Sequence, residues 1–337
     1  MKVTVLGAGS IGQRHVRGLI RTAEATGVKN ISVYDKNLER VKLCENYGTF
    51  VSGYNDFYSS ILNSDAVLVC VPTSIHNDIM KKLLSNGKYH IFMEKPLDAK
   101  VQGWESLIES HASQGKEFVV GYMLRKHPVL KRLKYLILNN VIGKILFARA
   151  ESGFYLPYWH PHEDYRDFYM SSKSGGGGAL LDTSHEIDYL TWLFGNVKEV
   201  QASVETISDL EITSDDLSIL NCKFISGLRA EIHLDLLQFD EERYCKIIGS
   251  QGVIIADLAK GEVKIWKKES KIWDKEIFNI NWDNIYDEEY LDFFDKINGK
   301  SIELPSAKEA LHVLEVVEAA RRSSASGGSI KLPLWDT

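Results

Sequence analysis

This 337-residue sequence is poor in cysteine, and its four cysteines lack the spacing that would give them a shared role. Cys44, Cys70, Cys222 and Cys245 form no Cys-x-x-Cys pair, which argues against a zinc framework or a disulfide scaffold. They read as small buried apolar residues of a chain kept in a reducing compartment. No apolar run approaches the roughly 20 residues that span a bilayer, and no signal-peptide pattern precedes the first strand-like segment. A cytoplasmic protein without a membrane partner is therefore expected. Forty basic against forty-six acidic residues give a net charge of −6 with no basic cluster, so nucleic acid is not an expected partner. Internal repeats and low-complexity linkers are also missing. What is left is the composition of an ordinary globular protein, long enough for two domains.

The first dozen residues carry the strongest signal. An alternating run, Lys2-Val3-Thr4-Val5-Leu6, feeds into Gly7-Ala8-Gly9-Ser10-Ile11-Gly12, and a helical pattern follows at once. Gly-x-Gly-x-x-Gly alone is weak, because many matches are ordinary turns. Between a strand and a helix each glycine has its own use. Gly7 permits the tight turn, Gly9 admits a pyrophosphate against the backbone, and Gly12 lets the helix pack on the strand. The phosphates would meet the unpaired N–H groups of the helix start, at Ser10 and Ile11. Ile31-Ser32-Val33-Tyr34 reads as a second strand, closed by Asp35, the acid that binds the ribose hydroxyls in this fingerprint. Asp35 would repel a 2′-phosphate and so favours NAD, while Lys36 and Arg40 keep NADP possible.

Strand and helix signals alternate through the first third. Val16, Leu19, Ile20 and Ala23 fall at helical spacing before Gly27, and Asn37 can cap a helix bearing Leu38, Val41 and Cys44. Ala66–Val71 is continuously apolar, as in a parallel strand covered on both faces, and Pro72 stops it. A helix from about Ile75, a strand at His90–Met93, a further helix and a strand at Glu117–Val120 complete the set. This pattern predicts an α/β Rossmann-type domain with a parallel sheet over residues 1–124. Over residues 125–337, after a helix around Val129–Leu138, strands dominate: Lys144–Gly153, Val197–Thr206, Asp216–Ile225, Leu228–Leu236, Arg243–Gly249, Val253–Leu258 and Glu262–Lys268. Helices return at Asp287–Ile297 and Ala307–Ser323. An α+β domain with a large open, mostly antiparallel sheet is expected there.

Three local groups could carry chemistry. Glu94-Lys95-Pro96 follows a core strand, where ligands bind in open α/β sheets; Lys95 is either a cation for substrate and cofactor or part of a surface Lys-Pro turn. Gly175 to Gly178 precede Ala179-Leu180-Leu181-Asp182-Thr183-Ser184-His185, either as a flexible loop or as the entry to a buried helix. Asp182 stands three residues before His185, close enough to pair if that turn is helical, and a carboxylate that fixes an imidazole orients a general base. A structural histidine is the alternative. Tyr155, Trp159, His160 and Arg166, in an aromatic stretch with His162, suit a sugar through ring faces and donors. Packing over the second domain is the competing account, and the proline between His160 and His162 speaks against a metal.

Together these residues resemble the Gfo/Idh/MocA family of NAD(P)-dependent oxidoreductases across essentially the whole chain. The resemblance rests on the glycine fingerprint, Val71-Pro72-Thr73-Ser74-Ile75-His76, Glu94-Lys95-Pro96 and Gly121-Tyr122-Met123-Leu124-Arg125-Lys126-His127-Pro128. It continues through the glycine–Asp182–His185 segment, Ile248-Gly249-Ser250-Gln251-Gly252 and the closing Leu332-Pro333. It implies NAD(P)-dependent hydride transfer at a hydroxyl-bearing carbon of a sugar, sugar nucleotide or cyclitol. Lys95 would contact hydroxyl and nicotinamide, and His185 would act as acid/base. Pro72, Thr73, His76 and Glu94 join the cofactor set, and Arg125 the substrate set. The second domain would bind substrate and form homodimers or homotetramers through its sheet. One departure stands out: the family commonly places the aspartate four residues before the histidine, not three. His185–Leu190 with Trp192–Gly195 resembles members acting on bacterial surface-glycan sugars. The same scaffold also serves redox-neutral NAD-dependent glycosidases and non-catalytic dinucleotide or sugar sensors; the presence of both Lys95 and His185 argues against a sensor.

Overall fold

The computed structural model describes residues 1–159, 161–173 and 175–334. The chain divides into two compact units, Met1–Met123 with Asn281–Leu311, and Leu124–Ile280 with His312–Thr337. Asn281–Leu311 lies between the two segments of the second unit in chain order yet belongs with the first unit. Its helix, Trp282–Ile297, sends Tyr290, Phe293 and Phe294 into the core that holds Val3, Val5, Val16, Leu19 and Phe92. Burying a ring of this kind contributes about 1.5–3 kcal/mol.

The first unit is built on six strands: β1 (Lys2–Leu6), β2 (Asn30–Tyr34), β3 (Val51–Tyr54), β4 (Ala66–Val69), β5 (His90–Glu94) and β6 (Phe118–Gly121). All pair in parallel, in the order β3-β2-β1-β4-β5-β6. Val3, Val5 and Leu6 of β1 and all four residues of β4 are buried, as central strands require. Thr4 is accommodated because its hydroxyl donates to the Ser60 carbonyl at 2.7 Å. The short β3 escapes a sequence reading because Gly53 interrupts it; a Cβ there would lie 2.4 Å from Val41 Cγ1, on the helix Leu38–Glu45. Pairing puts Leu6, Val69 and Met93 in one row. Gly7, Cys70 and Glu94 therefore leave the sheet side by side at its carboxyl end, where the strand order reverses and ligands bind.

The second unit carries a nine-stranded sheet: β7 (Ile145–Gly153), β8 (Val197–Glu205), β9 (Leu217–Phe224), β10 (Arg229–Asp235), β11 (Glu242–Gly249), β12 (Gly252–Asp257), β13 (Glu262–Lys267), β14 (Trp273–Ile277) and β15 (Ile330–Lys331). The order is β14-β13-β12-β11-β7-β10-β9-β8-β15, with β7 and β10 parallel and the other pairs antiparallel. Burial alternates: Leu220, Cys222 and Phe224 on β9 and Ala230, Ile232 and Leu234 on β10 face the core. The helix His185–Phe194 packs on β7, Ala179–Asp182 on β9 and β10, and Pro128–Leu138 on β12 and β13. The strand β14 buries no residue, so it carries no alternation for a sequence reading to find. All four cysteines are buried and unpaired, and no described helix is long and apolar enough to cross a membrane.

Candidate active site

The glycine turn has the shape a dinucleotide needs. Gly7 has φ +96°, and a Cβ on it would stand 2.5 Å from the Cys70 carbonyl oxygen. A Cβ on Gly12 would stand 1.9 Å from Gly7 O, whereas one on Gly9 would meet no protein atom within 4 Å. Two glycines are thus consumed by the fold, and the third leaves room beside the backbone for another group. The helix Ser10–Arg21, with half-buried Ile11 and exposed Ser10 in its first turn, has no side-chain cap and no acid there. Its first N–H groups are left for an anion.

Asp35 stands at the same turn. Its Oδ2 accepts from Ala8 N at 2.7 Å and its Oδ1 from Asn37 N at 2.8 Å, so the carboxylate is fixed with lone pairs to spare. Lys36 follows it and is exposed, and Arg40 is exposed on the helix that Asn37 caps. Pro72 and the buried Thr73 lead from β4 into a short 3-10 turn. His76 is buried with its two ring nitrogens 3.1 and 3.0 Å from the carbonyls of Leu97 and Val71. Burial holds its pKa below the ordinary value. The ring braces two loops rather than facing open space. Glu94 closes β5; its Oε1 lies 2.6 Å from His15 Nε2, and its Oε2 accepts from Lys95 N at 3.2 Å. Lys95 is half-buried at this same end of the sheet.

In the second unit the glycine run is a packed structure, not a slack loop. A Cβ on Gly177 would lie 2.3 Å from Tyr169 O, and one on Gly178, at φ +117°, 2.3 Å from Asp215 Oδ1. Asp215 accepts from Leu180 N at 2.7 Å and so fixes the start of Ala179–Asp182. Burial raises its pKa against that bond. Asp182 closes this short helix and His185 opens the next, with Thr183 and Ser184 between. Asp182 Oδ1 accepts from the Tyr169 hydroxyl.

The His185 helix is gripped by two ion pairs, one buried and one reaching the surface at its arginine. Arg125 donates from Nε and Nη2 to Asp188 at 3.0 and 2.6 Å, and Arg243 donates likewise to Glu186 at 2.8 and 3.0 Å. Arg125 is 4% exposed and ties the segment before Pro128–Leu138 to the His185 helix. His185 itself is 5% exposed. In the aromatic stretch, Tyr155 packs on Phe239 at 4.4 Å and Tyr158 at 4.9 Å, and Trp159 on Phe154 at 4.7 Å. Arg166 turns back on Asp164 and on Glu211, holding the Asp164 pKa down to about 2. His160 lies outside the described residues. Among the described residues no group of three metal-ligating side chains stands together.

Sequence reasoning missed His15, Tyr169, Glu186, Arg243 and Phe239. Only His15 left a trace, as a polar residue beside Val16 on the apolar face of its helix.

Residues 1–122 match a family model described as an oxidoreductase family NAD-binding Rossmann fold, and residues 134–332 match the C-terminal alpha/beta domain of that family. An inositol 2-dehydrogenase of Salmonella paratyphi B is 26% identical over 309 residues, which cover 88% of this chain and 86% of that protein. One of Burkholderia cenocepacia is 26% identical over 346 residues, 97% and 95% of the two chains. Levoglucosan dehydrogenase, solved with NADH and levoglucosan, has a TM-score of 0.88 at 19% identity over 99% of both chains. The WlbA dehydrogenase of Bordetella pertussis, solved with NADH and UDP-GlcNAcA, has a TM-score of 0.81 at 20% identity over 99% of both chains. These structural likenesses speak for the fold.

Proposed function

This chain belongs to the Gfo/Idh/MocA oxidoreductase family, and from that premise we propose that it oxidises, reversibly, a hydroxyl-bearing carbon of a sugar, sugar nucleotide or cyclitol with NAD. The observation that carries the reading is the carboxyl end of the first sheet. There the open space beside Gly9, the fixed Asp35 carboxylate and Lys95 leave strands paired in one register.

Bound NAD supplies the hydride acceptor. The first-turn N–H groups of Ser10–Arg21 hold its pyrophosphate, and Asp35 accepts from the adenosine ribose hydroxyls and disfavours a 2′-phosphate. His185 removes the hydroxyl proton in the oxidation direction, and the Lys95 ammonium stabilises the developing oxyanion. Asp182, held by Tyr169, fixes the entry to the His185 helix. Tyr155 and Trp159, together with Phe239, offer ring faces to a sugar.

The half-buried face of the second sheet supports a homodimer or homotetramer. Register puts Phe147, Ile248, Val253, Trp266 and Trp273 beside one another across five strands. The buried, unpaired thiols fit a cytoplasmic setting. The test is NAD reduction against a panel of myo-inositol, levoglucosan and free and nucleotide-linked sugars. At least one should form NADH. NADPH binding tighter than NADH would overturn the cofactor assignment, and a Trp266→Lys variant that sediments like the parent would remove the sheet-face assembly.

A further inference from the structure

Beneath the Lys95 turn lies a buried side chain that the proposed reaction does not use. His15 sits on the Ser10–Arg21 helix, three residues past Gly12, with its side chain wholly shielded from solvent. Phe92 of β5, and Tyr286 and Tyr290 of the Trp282–Ile297 helix, enclose its ring edge-on, with centroids 5.4, 6.3 and 5.4 Å away. Out of this apolar cage Nε2 reaches Glu94 Oε1 at 2.6 Å. A carboxylate accepts, so Nε2 carries the hydrogen. The other oxygen of Glu94 accepts from the backbone N–H of Lys95 at 3.2 Å. One carboxylate is thereby shared between the helix that opens at the glycine turn and the backbone of the residue assigned to the oxyanion.

Packing alone does not account for an imidazole here. Its Nδ1 is buried with no hydrogen-bond partner among the described residues. An apolar side chain would fill the same cage without stranding a polar atom, so the Nε2 contact has to outweigh that cost. Glu94, which the family resemblance adds to the cofactor set, has both its oxygens engaged within the protein.

We propose that His15 is a positioning residue that ties Glu94, and through it the Lys95 backbone, to the helix at whose start the cofactor phosphates bind. The element that binds the cofactor then also aims the ammonium group. This rests on the reading of Lys95 given above and assigns a role to a residue outside the glycine fingerprint.

The test compares His15→Gln with His15→Met, two side chains of similar shape that differ in having a donor. Lysines are labelled by reductive 13C-methylation, and the Lys95 resonance is identified by its loss in Lys95→Arg. In cofactor-free protein His15→Met should displace the Lys95 resonance and leave the Lys36 and Lys100 resonances in place, while His15→Gln should restore the parental position. A Lys95 signal unmoved in folded His15→Met overturns the proposal. Should His15→Met fail to fold, imidazole 15N shifts of the unmutated protein decide: an Nε2 without hydrogen is incompatible with the bond to Glu94. Addition of NADH separates the two readings. If NADH leaves the parental Lys95 signal unchanged, the placement of Lys95 at the nicotinamide fails, whereas the His15 dependence in free protein is judged on its own.

Discussion

The two sets of candidate residues, one in each unit, are held by different physics. In the first unit the geometry is made by backbone: a strand register, a left-handed Gly7 and a Gly12 pressed against Gly7 O. In the second it is made by side chains that meet across long separations. Arg125 and Asp188 are 63 residues apart, and Arg243 and Glu186 are 57 apart, all on or against the His185 helix. Backbone geometry fails locally when a Cβ is added. A buried ion pair fails through the charge left behind when one partner goes. The same kind of mutation should therefore damage the two units in distinct ways.

The largest effect should ignore that difference. Lys95→Ala and His185→Ala each remove a group proposed to act in the transition state, so turnover should fall by about 10²–10⁴. NADH affinity should stay within a few-fold of the parent. Steady-state rates beside NADH fluorescence titrations give both quantities. Parental turnover in both variants would sink the proposed chemistry.

Next comes a stability test confined to the second unit. Arg243→Met strips the fully buried Glu186 of its partner and should cost about 3–5 kcal/mol in denaturant unfolding. Arg243→Met with Glu186→Leu removes both charges and should recover most of it. Equal losses in the single and the double variant would mean that the pair contributes packing rather than charge compensation.

What the sequence revealed follows the same division. The Rossmann half was legible because its signals are short-range: Gly7, Gly9 and Gly12 sit beside their strand and helix, and Asp35 ends the next strand. Seven strands of the second sheet were legible because one face is buried and the residues alternate. The arginine clamps were not, since nothing near Arg125 or Arg243 in sequence marks Asp188 or Glu186 as its partner. Asp182 was read by its spacing to His185, whereas its contact with Tyr169, 13 residues before it, arises only in the fold. Phe239 arrives on a loop after β10 and meets Tyr155 only through the fold.

Within the first unit, two glycines of one motif should part company. Gly12→Ala forces a Cβ to within 1.9 Å of Gly7 O and should destabilise the protein by about 1–3 kcal/mol. Gly9→Ala meets open space in an extended conformation that alanine adopts, and should leave the melting temperature unchanged. It should nevertheless weaken NADH binding by about tenfold or more, because the methyl group occupies the room that the pyrophosphate needs. A Gly9→Ala protein that binds NADH as the parent does would remove the phosphate from that space.

The smallest expected change concerns cofactor choice. Asp35 already accepts from Ala8 N and Asn37 N, so its position does not depend on a ligand, and its charge is the part left to discriminate. Asp35→Asn keeps the shape and one acceptor oxygen but removes the charge that a 2′-phosphate would face. NADPH should bind more tightly than to the parent and NADH more weakly, each by about 1 kcal/mol, or several-fold, the scale of one charged hydrogen bond exposed in part to water. The two shifts have opposite signs, so a general loosening of the turn, which would weaken both cofactors, is distinguishable by parallel titrations. If NADPH does not gain, discrimination lies in the shape of the pocket around Lys36 and Arg40 rather than in the carboxylate. The first unit would then select its cofactor by side-chain placement, as the second unit holds its helix.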